Sequence, residues 1–243
     1  MKSREFHAIA CTLSALLVGV GCRDYSNAAL VAGPPAAIVI FGGSAQQGIA
    51  GTDLPAQLIV HVIDARALPI KGQLVSFRVT SGGGSALSGA AVTNDLGEAR
   101  DQWKLGTTVT DPQLLEARAV NSAGETIVAV TFTAQALPGP ATQLIKVAGD
   151  LQSGAANTAL STAPVVRVAD KYGNSVSGAL VTFAASGGGS VTPPTQTTAT
   201  NGLASTSWVL GPSLGTNTMT ATASGATAVS FSATVSSLIR RHE

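Results

Sequence analysis

Acyl transfer needs a nucleophile, a base and an orienting acid within mutual reach. The 243 residues contain three histidines, His7, His61 and His242. His7 lies in the first 21 residues, and His242 lies in the charged tail RRHE. His61 sits in the alternating run LIVHVI with parity opposite to Val60 and Val62. It is therefore expected to face solvent rather than a reactive pocket. No G-x-S-x-G, H-E-x-x-H or Walker-type pattern occurs. The expectation is a protein without catalytic residues and without a cofactor.

Other residue types could hold a ligand. Asp95, Glu98 and Asp101 cluster in the first half, but their counterparts in the second are Thr200, Leu203 and Thr206. Nothing has EF-hand spacing, so no metal site is expected. The glycine triplets at 82–84 and 187–189 could suggest a phosphate cradle. Phosphate loops feed a helix N-terminus, whereas here strand-like sequence follows, and turns are the expected reading. Trp103 and Trp208 could stack on a sugar. They lie four residues after the matched alanines Ala99 and Ala204, at the same parity, so both are expected in a core. Asp101 shares that parity. A buried carboxylate needs a partner, so it is expected at a sheet edge or beside an arginine.

Cys22 is the residue with the clearest covalent chemistry. Lys2 and Arg4 precede an uncharged, mostly apolar run over residues 8–21 that ends in LVGVGC. The run is too short to cross a bilayer as a helix and has the length of a signal h-region. Small residues followed by cysteine resemble a bacterial lipoprotein signal, with a departure at Gly19 where such signals have an aliphatic residue. The resemblance implies cleavage before Cys22 and acylation of its thiol. The alternative is an ordinary secretory signal cut within residues 28–32. Cys11 would leave with the signal, so the mature chain would hold one cysteine and no disulfide. Residues 1–21 are thus expected to be a signal peptide and 22–35 a tether.

The elements that would position these residues follow from composition and repetition. Hydrophobic residues make up 45% and charged residues 11% of the chain, and the formal net charge is +1. That balance disfavours disorder and shows no basic excess for nucleic acid. Twenty-seven glycines with few aromatics point to short strands and tight turns. The sequence also repeats. Asp64 and Phe77 match Asp170 and Phe183 at a shift of 106, and Gly97, Trp103 and Leu105 match Gly202, Trp208 and Leu210 at 105. Two domains are expected, 36–136 and 137–236, joined by the stiff segment LPGP and followed by a tail over 237–243. Val75, Phe77 and Val79 alternate with polar neighbours, as do Phe231, Ala233 and Val235. Period two with polar partners means half-buried strands. About seven such strands per repeat predict an all-β protein of two tandem immunoglobulin-like β-sandwiches.

The string VRVADKYGNSVSGALVTFAASGGGS, followed by TATNGLAS, resembles the bacterial Ig-like domain of the invasin and intimin type. The first repeat departs at its turn, where Ala65-Arg66-Ala67-Leu68-Pro69 replaces the Gly-Asn sequence. The resemblance implies a rod-forming module of surface adhesins. The expected function is a non-enzymatic, lipid-anchored protein of the outer membrane or cell surface, acting in adhesion or surface protein interaction. A passive spacer or accessory subunit of an envelope assembly is the alternative, and an envelope enzyme a distant one. Residues 36–136 carry a net charge of −2 and residues 137–236 a net of +1. The second repeat would be the outer one, and its strands present Ser, Thr and Ala outward. A surface protein or glycan partner is therefore expected on 137–236, with membrane contact through the lipid anchor only.

Overall fold

The computed structural model describes residues 31–236. Cys22, the signal region and residues 237–243 lie outside them. Every regular element among the described residues is a strand. The first repeat contains β1 (Ala37–Gly42), β2 (Gln46–Ile49), β3 (Leu58–Ile63), β4 (Leu74–Ser81), β5 (Gly84–Ala86), β6 (Ala90–Val92), β7 (Glu98–Asp101), β8 (Trp103–Leu105), β9 (Gln113–Val120) and β10 (Thr126–Leu137). The second contains β11 (Gln143–Ala148), β12 (Gln152–Ala155), β13 (Val165–Ala169), β14 (Leu180–Ala185), β15 (Ser190–Thr192), β16 (Thr195–Thr197), β17 (Leu203–Ser205), β18 (Ser207–Val209), β19 (Gly215–Ala223) and β20 (Val229–Ser236).

Each repeat folds as a sandwich of a three-stranded and a five-stranded sheet. In the first the orders are β1-β3-β7 and β2-β10-β9-β4-β6, with a small β5-β8 ribbon. In the second they are β11-β13-β17 and β12-β20-β19-β14-β16, with a β15-β18 ribbon. The count of ten strands per repeat exceeds the seven expected. Two features account for the excess. The opening strand of each sandwich splits, its first part antiparallel in one sheet and its second part, β2 or β12, parallel to the last strand of the other. The glycine triplets then lead into the short ribbons, which carry the tryptophans' strands.

The alternation seen in the sequence becomes burial. Val60 and Val62 point inward from β3, and Val75 and Phe77 from β4, against Trp103, Leu115, Ala117 and Phe132. The second core repeats this with Val166, Val168, Val181, Phe183, Trp208, Met219, Ala221 and Phe231. Trp103 and Trp208 are completely buried. The two clusters share no residue, so each sandwich has its own apolar core. Burial of a phenylalanine side chain contributes about 1.5–3 kcal/mol.

Several polar residues inside are matched between the repeats. The Gln113 side-chain oxygen accepts the Gly106 N–H at 3.0 Å, and the Asn217 oxygen accepts the Gly211 N–H at 2.7 Å. Thr93 and Thr198 each donate to a carbonyl across the sandwich, of Ile70 and Val176 respectively. Asp101 is buried on β7, which is an edge strand as expected, but no arginine accompanies it. Its carboxylate accepts the N–H groups of Ser88 at 3.0 Å, Gly89 at 2.8 Å and Gln102 at 2.7 Å. Three backbone donors satisfy the charge at the sheet edge, the first of the two places expected for it.

Candidate functional site

The polar side chains of this molecule converge at the joint between the sandwiches. The joint is built from loops, at the end of the first sandwich that holds Gly51 and residues 106–109. From the second sandwich comes the turn after β13, residues 170–174. Asp170 organises it. One carboxylate oxygen accepts the N–H groups of Tyr172 at 2.8 Å and Asn174 at 2.9 Å, which closes the turn. The other accepts the N–H of Gly139 at 2.9 Å and the side-chain amide of Asn174 at 2.9 Å. The segment between the sandwiches is thereby pinned to the second. Burial pushes the Asp170 carboxyl up, but the Asn174 amide and these N–H groups outweigh it and hold the group below the usual carboxylate range.

Asn174 then crosses to the first sandwich. Its amide donates to the Thr107 carbonyl at 2.8 Å, and its oxygen accepts the Val109 N–H at 3.3 Å. Tyr172 lies against Gly51. Position 51 has a φ of +73°, and a side chain there would place its Cβ 2.4 Å from the Tyr172 hydroxyl. Only glycine leaves room for the ring. The Lys171 ammonium sits 4.7 Å from the centre of the same ring, a cation–π distance.

Tyr172 remains 41% exposed and borders open clefts at the joint. One of about 510 Å³ is lined by the glycine triplet with Lys104 and Asp111. Another, of about 320 Å³ and mostly apolar, is lined by Ile49, Pro140 and Lys171. The tryptophans, by contrast, are wholly within the cores and offer no stacking face.

A clamp of the same kind holds the start of the first sandwich. Gly33 matches Gly139 at the same shift of 106 that relates Asp64 to Asp170. The Gly33 N–H donates to Asp64 at 2.9 Å, within the stretch read as a tether. Arg66 takes the place of Tyr172 here, with its guanidinium 3.1 Å from Asp64. The Gly33 N–H, then those of Leu68 and Arg66 and the guanidinium, overcome burial and hold the Asp64 carboxyl well below the ordinary range.

His61 points away from the core, on the face opposite to Val60 and Val62. It is half-buried rather than fully solvent-facing, because the Phe41 ring stacks on it at 4.2 Å and 11°. A register shift between Ile40 and Gly42 sets that edge of the sheet. His61 Nε2 is 3.1 Å from Glu98 Oε1, and Arg100 donates to the other Glu98 oxygen at 2.8 Å. Arg100, then His61, outweigh burial and lower the Glu98 carboxyl to about 2. This is an acid held as an anion by the Arg100 guanidinium and a hydrogen-bond contact with His61, with no nucleophile among the partners of His61.

The three acids considered as metal ligands go separate ways. Asp95 pairs with Lys71 at 2.5 Å, Glu98 with His61 and Arg100, and Asp101 with backbone N–H groups. No group of three or more potential metal ligands occurs among the described residues. The glycine triplet serves close packing: at Gly84, with φ +88°, a Cβ would lie 2.2 Å from the Lys104 carbonyl oxygen. Cys22 lies outside the described residues, and no helix among them is long and apolar enough to cross a membrane.

Periodicity alone does not show the role of the Gly-Asn turn at 172–175. A signal was present. The repeats agree on both sides of this turn and differ within it, which is what a surface that meets a neighbour in only one copy would do.

No family model matches the chain, and no curated protein does. Among solved structures, the chain is similar to the D0-D1 domains of intimin at 20% identity, over 80% of this chain and 96% of that one, with a TM-score of 0.30. InvD of Yersinia pseudotuberculosis is 14% identical over 85% of this chain and 60% of that one, with a TM-score of 0.45. A glycosyl hydrolase family 2 member from Bacteroides cellulosilyticus is 15% identical over 78% of this chain, which spans 24% of that enzyme, with a TM-score of 0.37. The intimin resemblance expected from the sequence recurs in the first of these.

Proposed function

We propose that the chain is a non-enzymatic cell-envelope protein, exported and lipid-anchored at Cys22, that acts in adhesion or surface protein interaction through its second sandwich. One observation carries the reading. Strand β3 runs away from the joint end of the first sandwich and finishes at Ile63, next to Asp64, where Gly33 comes in. The chain therefore reaches the first sandwich at one end, and the second sandwich meets it at the other. An anchor before residue 31 then leaves residues 137–236 outermost.

The outer face of the second sandwich suits such a role. Its five-stranded sheet presents Thr182, Thr195, Thr218, Thr222 and Ser230, cross-strand neighbours in part, with Thr182 opposite both Thr222 and Thr195. Short hydroxyl side chains lose little entropy on contact. With few charges there, binding should depend only weakly on salt.

The test uses the full chain expressed in its envelope. Cys22→Ser should abolish lipid labelling and move the protein from membranes to the soluble fraction. The released Cys22→Ser protein should bind partner cells or envelope extracts, at similar strength in low and high salt. Unchanged labelling would overturn the anchor. Anchoring without any binding would leave the spacer role in place of adhesion.

A further inference from the structure

The joint can be compared with the two open ends of the same molecule, because each end matches one half of it. Gln46 and Gln152 make the same pair of bonds, to Gly43 and Ala56 in one sandwich and to Gly149 and Thr162 in the other. Thr52 and Thr158 each donate to the carbonyl three residues back. These contacts place Asn157 at the position of Gly51, and both have positive φ, +58° and +73°. At the other open end, Arg66, Ala67 and Leu68 stand where the second sandwich has Tyr172, Gly173 and Asn174.

The differences fall on the groups that make the joint. Asn157 has the Cβ that position 51 cannot carry beside Tyr172. Leu68 can neither donate to a carbonyl nor accept an amide, as Asn174 does with Thr107 and Val109. Arg66 is held by Asp64. The framework of each end is kept, and only the mating groups are changed.

We propose that the Tyr172–Gly173–Asn174 turn is a key whose seat exists at one place in the chain, the Gly51, Thr107 and Val109 surface. The joint holds the two sandwiches in one arrangement, and neither open end accepts a second copy of the chain. This is independent of the anchor and of any partner.

The experiment places spin labels at Thr131→Cys on β10 and Thr222→Cys on β19, both exposed, in the full chain carrying Cys11→Ser and Cys22→Ser. Pulsed dipolar spectroscopy should give one narrow distance distribution. Asn174→Ala and Gly51→Asn should each make it about twofold wider while thermal unfolding is nearly unchanged, since the motion released is of whole domains. Gly51→Asn copies the residue that the second sandwich already carries at 157, so a folded protein is expected, and Asn174→Ala decides independently if it fails. A parent distribution as wide as the variants', or variants as narrow as the parent, would overturn the lock. In sedimentation velocity the unlabelled chain should remain one monomeric species across concentrations. Leu214 is exposed in the loop after Gly211 at the Asn157 end, and reversible association that Leu214→Asp abolishes would overturn the exclusion of a second copy.

Discussion

Asp101 and Thr206 occupy equivalent buried positions, yet one is an acid and the other a hydroxyl. Their neighbours explain it. Asp101 receives the N–H groups of Ser88 and Gly89, and the residues at those places in the second repeat are Pro193 and Pro194, which have no N–H. Only a carbonyl is on offer there, and Thr206 donates to that of Pro193 at 2.7 Å. Asp101→Ala leaves three partly buried donors without their anion and is expected to destabilise the first sandwich by about 2 kcal/mol, against about 1 kcal/mol for Thr206→Ala. Urea unfolding of both variants measures the difference, and equal losses would contradict this account. Asp64 and Asp170 contribute to the acid limit, alongside Glu98. Both aspartates have folded pKa values below the unfolded value of about 3.9. The unfolded chain therefore binds more protons as pH falls through that value. The stability they contribute is present above about pH 4 and is lost below it. The double variant Asp64→Asn and Asp170→Asn should be less stable at neutral pH and should show a flatter stability profile between roughly pH 4 and 2.

At the scale of elements, the short ribbons depend on backbone approaching backbone. Gly84→Ala would bring a Cβ to 2.2 Å from the Lys104 carbonyl at a φ that alanine disfavours. The β5-β8 ribbon must then shift, at a cost of more than about 2 kcal/mol, read as a lowered melting temperature. Burial of both tryptophans makes a second expectation. Their emission should be blue-shifted in the folded protein and move red on unfolding; red emission from the native state would contradict their place in the cores.

For the whole molecule, two cores with no shared residue should behave as two unfolding units coupled through one polar joint. Phe77→Ala removes a ring from the first core only and should cost about 3–5 kcal/mol there. Calorimetry should show the first sandwich melting earlier while the second keeps its transition. A single transition displaced as a whole would instead mean that the joint couples the two cores completely.

Alternation and repetition are enough to specify the two sandwiches. Alternation at period two is a local property, so Val60, Val62, Phe77, Phe183, Phe231 and the two tryptophans could be assigned to cores before any pairing was known. A shift near 105 residues then doubled the result. What only the tertiary structure decided are the contacts between groups far apart in the chain. Asn174 meets Thr107 and Val109 across 67 and 65 residues, and Asp101 meets Ser88 and Gly89 around an edge loop. Tyr172 finds its seat because position 51 lacks a side chain. Phe41 covers His61 because a register shift turns the sheet edge. Periodicity states which face of a strand is apolar. It carries no information on which backbone donor or loop from a distant segment will lie against a given polar side chain, and the joint consists of such encounters.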